Sequence, residues 1–223
     1  LWKRDRDPAW SDAEYYIRNW VSFTQMSGDH IVEQHVHNLD IMNWYMGGPP
    51  KSALGFGGRA RRKTGNQFDF HSVDFEYDDG VHIHSMCRQI NGTDGGVFEH
   101  LVGEKGIARG LKPKDAQVFP AGCPVTGGDY VQEHIDMLWS IVKGKPINEA
   151  QNVATSTLIA IMGRIATYTG RRISWDSLVN ADAKSPNGLP DLYNMTLSPS
   201  AADFEAGIVA DPVDDIAAIP GRD

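Results

Sequence analysis

The change of hydrophobic period at Gly47-Gly-Pro-Pro50 constrains the fold of this chain more than any other feature. Before it, apolar residues recur at helical spacing; after it, as far as Leu111, they alternate. Lys51–Arg61 is a Gly-rich strand candidate, in which Gly57-Gly58 signals a bulge or a close backbone approach. Phe68–Tyr77 alternates Phe68, Phe70, Val73, Phe75 and Tyr77, with a slip near Ser72. Asp78-Asp-Gly80 is a hairpin turn into Val81–Ile90. There Val81, Ile83, Ser85, Cys87 and Gln89 share one face, and His82, His84, Met86, Arg88 and Ile90 the other. Gly95–Gly103 and Ile107–Leu111 follow, joined by a turn at Glu104-Lys-Gly106. Strands this closely spaced leave no room for crossover helices, so an antiparallel sheet is expected.

Helices flank this block. Ser11-Asp-Ala-Glu14 is a capping box that starts a helix at Asp12, carrying Tyr15, Tyr16, Ile17, Trp20 and Phe23 toward Ser27-Gly28. A second helix is expected over 29–47, with Asp29 as N-cap. After a loop over 112–128 containing three prolines, helices are expected over 129–143 and 148–168. Arg172–Trp175 reads as a short strand or a closing turn. The fold class is therefore α+β: an open, mostly antiparallel sheet with helices packed on one face. Residues 1–180 read as one domain and 181–223 as an acidic extended tail.

The net charge of −8 resides mostly in that tail, where eight acidic residues face only Lys184 and Arg222. Such a chain is a poor nucleic-acid binder. Its one basic cluster, Arg59-Ala-Arg-Arg-Lys63, reads as a solvated strand end. No apolar run reaches the roughly 20 residues of a membrane span, and no membrane partner is expected. The charged start at Leu1-Trp-Lys-Arg lacks the pattern of a signal peptide and an initiator Met, so the chain reads as a processed or trimmed piece. Cys87 and Cys123 form no CxxC and leave the compartment open between cytoplasm and periplasm.

The stretch 28–47 carries the chemistry. On one continuous helix, Glu33, His37, Asp40 and Trp44 fall on a single stripe, and Val32, Val36, Leu39 and Met46 lie nearer an apolar one. A carboxylate one turn before a histidine can orient an imidazole that titrates near neutral pH. The same spacing also suits a polar helix face with one structural histidine. His30, Glu33 and His37, at i, i+3 and i+7, present three metal-ligand types along one helix. His82 and His84 on one strand face read as solvated or interface residues, and His134, in an amphipathic helix, as a structural or interface one. No GxGxxG follows a strand, and no P-loop or GxSxG is present.

Ser27-Gly-Asp-His-Ile-Val-Glu-Gln-His-Val-His-Asn-Leu-Asp-Ile-Met-Asn-Trp44 resembles the active-site helix of the Gfo/Idh/MocA oxidoreductases, the glucose–fructose oxidoreductase and inositol dehydrogenase family. Gly57-Gly-Arg59, Cys87-Arg-Gln-Ile90, Gly103-Glu-Lys-Gly106, Gln132-Glu-His-Ile135, Asn148-Glu-Ala150, Ile161-Met-Gly-Arg164 and Tyr168-Thr-Gly170 resemble further motifs of one branch, in order. The resemblance covers only the C-terminal half of such an enzyme. It implies a substrate-binding, oligomer-forming domain whose open sheet face is the subunit interface. The Rossmann domain for NAD or NADP, with its Glu-Lys-Pro motif, would lie outside these residues.

By that resemblance His37 is the general acid/base toward a sugar, cyclitol or glycoside hydroxyl. Glu33, standing where many members have Asp, orients it. Gln34, Arg88, Asp40 and Trp20 are candidate substrate-binding residues, with Trp44 a second ring-stacking candidate. The family uses no metal. Two other readings stay open: a non-catalytic carbohydrate-binding or assembly module, and a metal-dependent lyase or isomerase at His30, Glu33 and His37.

Overall fold

The structure is a computed structural model that describes residues 3–109, 122–125, 128–180, 201–207 and 217–221. It divides into two units, 1–95 with 155–223, and 96–154.

In the first unit, Ser11 Oγ accepts from Glu14 N and starts α1 (Asp12–Arg18) as the capping box requires. The helix does not run on to Ser27. It gives way to a 3₁₀ turn (Trp20–Ser22) and then α2 (Thr24–Ser27). The bends let Tyr16 stack on Phe23, with centroids 4.3 Å apart, in a small core with Tyr15 and Ala13. The helix expected over 29–47 is also divided, into α3 (His30–Glu33) and α4 (Val36–Met46). Gln34, at φ −125°, leaves the helical path, and the following His35 places Nε2 2.8 Å from Ser85 Oγ. A long-range polar contact thus overrides a locally acceptable helix. Gly47, left-handed at φ 74°, ends α4 as expected.

The sheet matches the expected class. β1 (Ser52–Gly58), β2 (Phe70–Glu76), β3 (His82–Arg88) and the short β6 (Ile173–Ser174) pair antiparallel in the order β3-β2-β1-β6. β1 and β2 pair without interruption from Ser52↔Glu76 to Gly58↔Phe70, so Gly57-Gly58 is not a bulge and Ser72 is not a slip. The inward residues of β2 are His71, Val73 and Phe75. The glycines instead admit a helix. A Cβ on Gly55 would lie 2.7 Å from the Thr167 methyl, and one on Gly57 3.1 Å from Thr167 Cβ. Thr167 belongs to α6 (Ala150–Thr169), which from Thr155 onward lies in this unit.

The core joins Ile31 and Leu39 of the divided helix to Ala53, Val73 and Phe75 of the sheet and to Ile159, Met162 and Ala166 of α6. Burying each large apolar side chain contributes roughly 1.5–3 kcal/mol. The other sheet face is open: Phe56 is 75 % and Met86 69 % exposed, with Phe70, His82 and His84 beside them. After β6 the chain forms α7 (Trp175–Val179), capped by Ser174. The expected tail falls largely outside the described residues; within it, Ala201–Ala206 form α8 and Gly221 N donates to Thr169 O at 3.1 Å.

In the second unit β4 (His100–Gly103) and β5 (Gly106–Arg109) form a hairpin. Residues 95–99, expected to extend the first of these, are not strand, and the loop expected over 112–128 lies largely outside the described residues. α5 (Asp129–Val142) follows, and His134 on it is exposed.

Candidate functional site

Asp29 is the hub of the helix-covered side. It is fully buried and sits at φ 74°, ψ 161°, a region almost reserved for glycine. Such strain persists only where surrounding bonds fix the residue, and here they do. One carboxylate oxygen accepts from His30 N at 2.5 Å and faces His30 Nδ1 at 3.1 Å. The other accepts from Phe68 N at 3.0 Å and Tyr168 OH at 2.5 Å, and lies 3.4 Å from His71 Nε2. Burial opposes the charge and is the largest single influence on it. The hydrogen bonds and charges of His30 and His71 together outweigh burial and hold the carboxyl well below the usual carboxylate range. Arg164 lies beside this cluster, donating to Gly28 O at 3.0 Å.

Around the hub, His71 Nδ1 is 2.8 Å from Thr167 Oγ1, whose own proton goes to Arg164 O. Gln67 donates to Ser27 Oγ and accepts from Arg62, which also donates to Gln89 Oε1 at 2.9 Å. The basic cluster is therefore solvated only in part: Arg61 and Lys63 are exposed, and Arg62 is not. Arg62 is buried, and Asp69 Oδ2 accepts from the backbone N–H groups of Ala60, Arg61 and Arg62. Arg59 donates to Arg62 O and Gly65 O, closing the loop on itself.

Glu33 ends α3 half-buried. Burial, with a contribution from Asp29, raises its carboxyl above the usual value against the opposing effects of His30, Gln89 and Arg62. The break at Gln34-His35 separates Glu33, on α3, from His37, on α4, so the two do not share the stripe of one continuous helix. The same break takes apart the row of His30, Glu33 and His37 as metal ligands. Among the described residues, the grouping with ligand atoms within 4.8 Å of one another is instead Asp29, His30 and His71.

Gln34 and His37 are exposed at the break and at the start of α4. Asp40 is engaged by Ser156 Oγ of α6 at 2.5 Å, so it joins two helices rather than standing free for a substrate. Arg88 falls on the open sheet face and donates to Asp94 O, while its neighbour Gln89 reaches Glu33. Trp20 is 42 % and Trp44 50 % exposed; neither is a core aromatic. Sequence reasoning missed His71, Gln89 and His35. Burial and the nearby His30 and His71 push the His35 imidazole down to about 4.

The GFO/IDH/MocA C-terminal domain family matches residues 3–109, which include the divided helix, β1, β2 and β3. The chain carries a GFO/IDH/MocA C-terminal domain. The domain is of the oxidoreductase type, and its sheet is the open antiparallel one expected. Among solved structures, GenD2 from gentamicin A biosynthesis, in complex with NAD, is 14 % identical. The match covers 70 % of this chain and 51 % of that one with a TM-score of 0.51, a likeness of fold. A myo-inositol dehydrogenase from Corynebacterium glutamicum is 16 % identical over 76 % of this chain and 54 % of its own, with a TM-score of 0.49. The GFO/IDH/MocA domain chain thus spans about half the length of the structures it matches. No curated protein matches it.

Proposed function

We propose that this GFO/IDH/MocA domain is the substrate-binding, acid/base half of an NAD- or NADP-dependent dehydrogenase acting on a sugar or cyclitol hydroxyl. The observation that carries the reading is the exposure of Gln34 and His37, with Glu33 half-buried, within the stretch that matches the family. His37 is the residue that takes the hydroxyl proton. Glu33, hydrogen-bonded to Gln89 and within the field of Arg62, supplies adjustable negative charge. Gln34 orients hydroxyls, and Trp20 and Trp44 offer ring faces. The solved inositol dehydrogenase and the NAD-bound GenD2 support the substrate and cofactor classes by analogy of fold alone.

The described residues do not fit a dinucleotide. Every strand pair among them is antiparallel, and the sequence has no GxGxxG. The cofactor therefore belongs to residues outside them, and this domain contributes the proton side of the reaction. The open face around Phe56 and Met86 is proposed as the contact between copies of the chain.

The test is His37→Ala in the full gene product, assayed against a panel of sugars and cyclitols with NAD and NADP. kcat/KM should fall by about 10²–10⁴-fold with cofactor affinity and melting temperature unchanged. Turnover retained at the wild-type level would refute the role of His37.

A further inference from the structure

We propose that Asp29, His30 and His71 form a buried site for a divalent cation of the zinc class. One ligand atom from each of the three residues lies within 4.8 Å of the others. His71 Nε2 and Asp29 Oδ2 are 3.4 Å apart, about the edge of a tetrahedron with metal–ligand bonds of roughly 2.1 Å. Both imidazoles are more than nine-tenths buried; His30 Nε2 has no hydrogen-bond partner, and His71 Nε2 meets only Asp29 Oδ2, at 3.4 Å.

Thr167 Oγ1 is within reach of both Arg164 O and His71 Nδ1. With its proton on Arg164 O it accepts from His71 Nδ1–H, and in that tautomer of the neutral ring Nε2 is a bare lone pair. That lone pair faces an ionised carboxylate that accepts from His30 N, Phe68 N and Tyr168 OH. In that tautomer a cation belongs between the two electron-rich atoms, either a second proton on His71 or a metal ion; in the other, Nε2–H donates to the carboxylate.

A metal ion binds the neutral ring and needs no second proton on it. His30 fits the same picture: its Nδ1 lies against the carboxylate at 3.1 Å and its Nε2 has bonding capacity that the protein leaves unused. A metal-bound histidine is commonly braced through its other nitrogen by a carboxylate in this way. The nearby Arg164 charge opposes a cation, and Glu33, which acts on both His30 and Asp29, offsets it.

The experiment is metal analysis of the protein purified without chelator or added metal. It is followed by removal of metal, titration with Zn²⁺ or Co²⁺, and thermal unfolding of wild type, His71→Gln and His30→Gln. The expected result is about one ion per wild-type chain. The stripped protein should show ligand-field absorption on adding Co²⁺ and a melting temperature that rises with Zn²⁺, both lost in folded His71→Gln. If neither glutamine variant folds, the wild-type Co²⁺ spectrum alone decides. Metal content at background, with no spectral or thermal response to either ion, would overturn the proposal, as would imidazole ¹⁵N shifts showing His71 protonated on both nitrogens in metal-saturating buffer.

Discussion

Asp29 offers a reversal of the usual order of glycine and alanine substitutions. Replacing it with Ala removes the acceptor for His30 N, Phe68 N and Tyr168 OH and leaves these donors buried. Removing one partner of such a buried charged network costs about 3–5 kcal/mol. Asp29→Gly loses the same bonds, but it also relieves a backbone at φ 74°, ψ 161°. That strain is about 1–3 kcal/mol for a residue with a Cβ. Glycine's greater unfolded-state freedom takes back about 0.5–1 kcal/mol. Asp29→Gly should therefore be more stable than Asp29→Ala by about 1–2 kcal/mol, with both well below wild type. Urea unfolding followed by far-UV circular dichroism, with chelator present, measures this. At an m-value of about 2–3 kcal/mol/M the two midpoints should differ by roughly 0.5 M. An alanine variant as stable as the glycine variant, or more so, would show that the carboxylate is not holding a strained backbone.

Acid should weaken the fold in stages. His35 is depressed to about 4, so as pH falls from about 6.5 only the unfolded chain takes up its proton, and stability drops until about pH 4. His35→Gln should flatten that window in urea titrations at stepped pH. The Asp29 carboxyl is held low, so its contribution persists through this range and declines only below about pH 4. Gly65→Ala should cost about 2–4 kcal/mol. Its Cβ would lie 1.7 Å from Ser22 O at a φ of 70°, and a melting temperature within a degree of wild type would refute the packing. Phe56→Glu with Met86→Glu should lower the mass seen by light scattering while leaving circular dichroism unchanged; an unaltered mass would remove the open face as the contact between copies.

The parts legible in the sequence were those where one local rule acts alone. The two faces of β3 were read correctly, since Ile83, Ser85 and Cys87 turn inward and His82, His84, Met86 and Arg88 outward. The cap at Ser11 and the stop at Gly47 likewise follow from backbone geometry. β2 misled because an imidazole occupies a core position: His71 belongs to the row of Val73 and Phe75, and its polarity made the alternation look shifted. The break after Glu33 was invisible because Gln34 and His35 suit a helix, and what draws His35 away is Ser85, fifty positions later. Arg62 looked like surface for the same reason, its partner Gln89 lying 27 positions along the chain. The family resemblance located the stretch that matters but not the hub within it, since Asp29 had been assigned only a capping role.

The interruption between α3 and α4 has a mechanical meaning. Glu33 and His37 belong to two separately tethered pieces, one fixed by Asp29 to Phe68, just before β2, and to α6, the other by Asp40 and Asn43 to Ser156. Their spacing is therefore an adjustable setting rather than a constant of helical geometry. Ser156→Ala, which removes the partner of both Asp40 and Asn43, should therefore act as a distant lever on His37 while leaving the bonds around Asp29 in place.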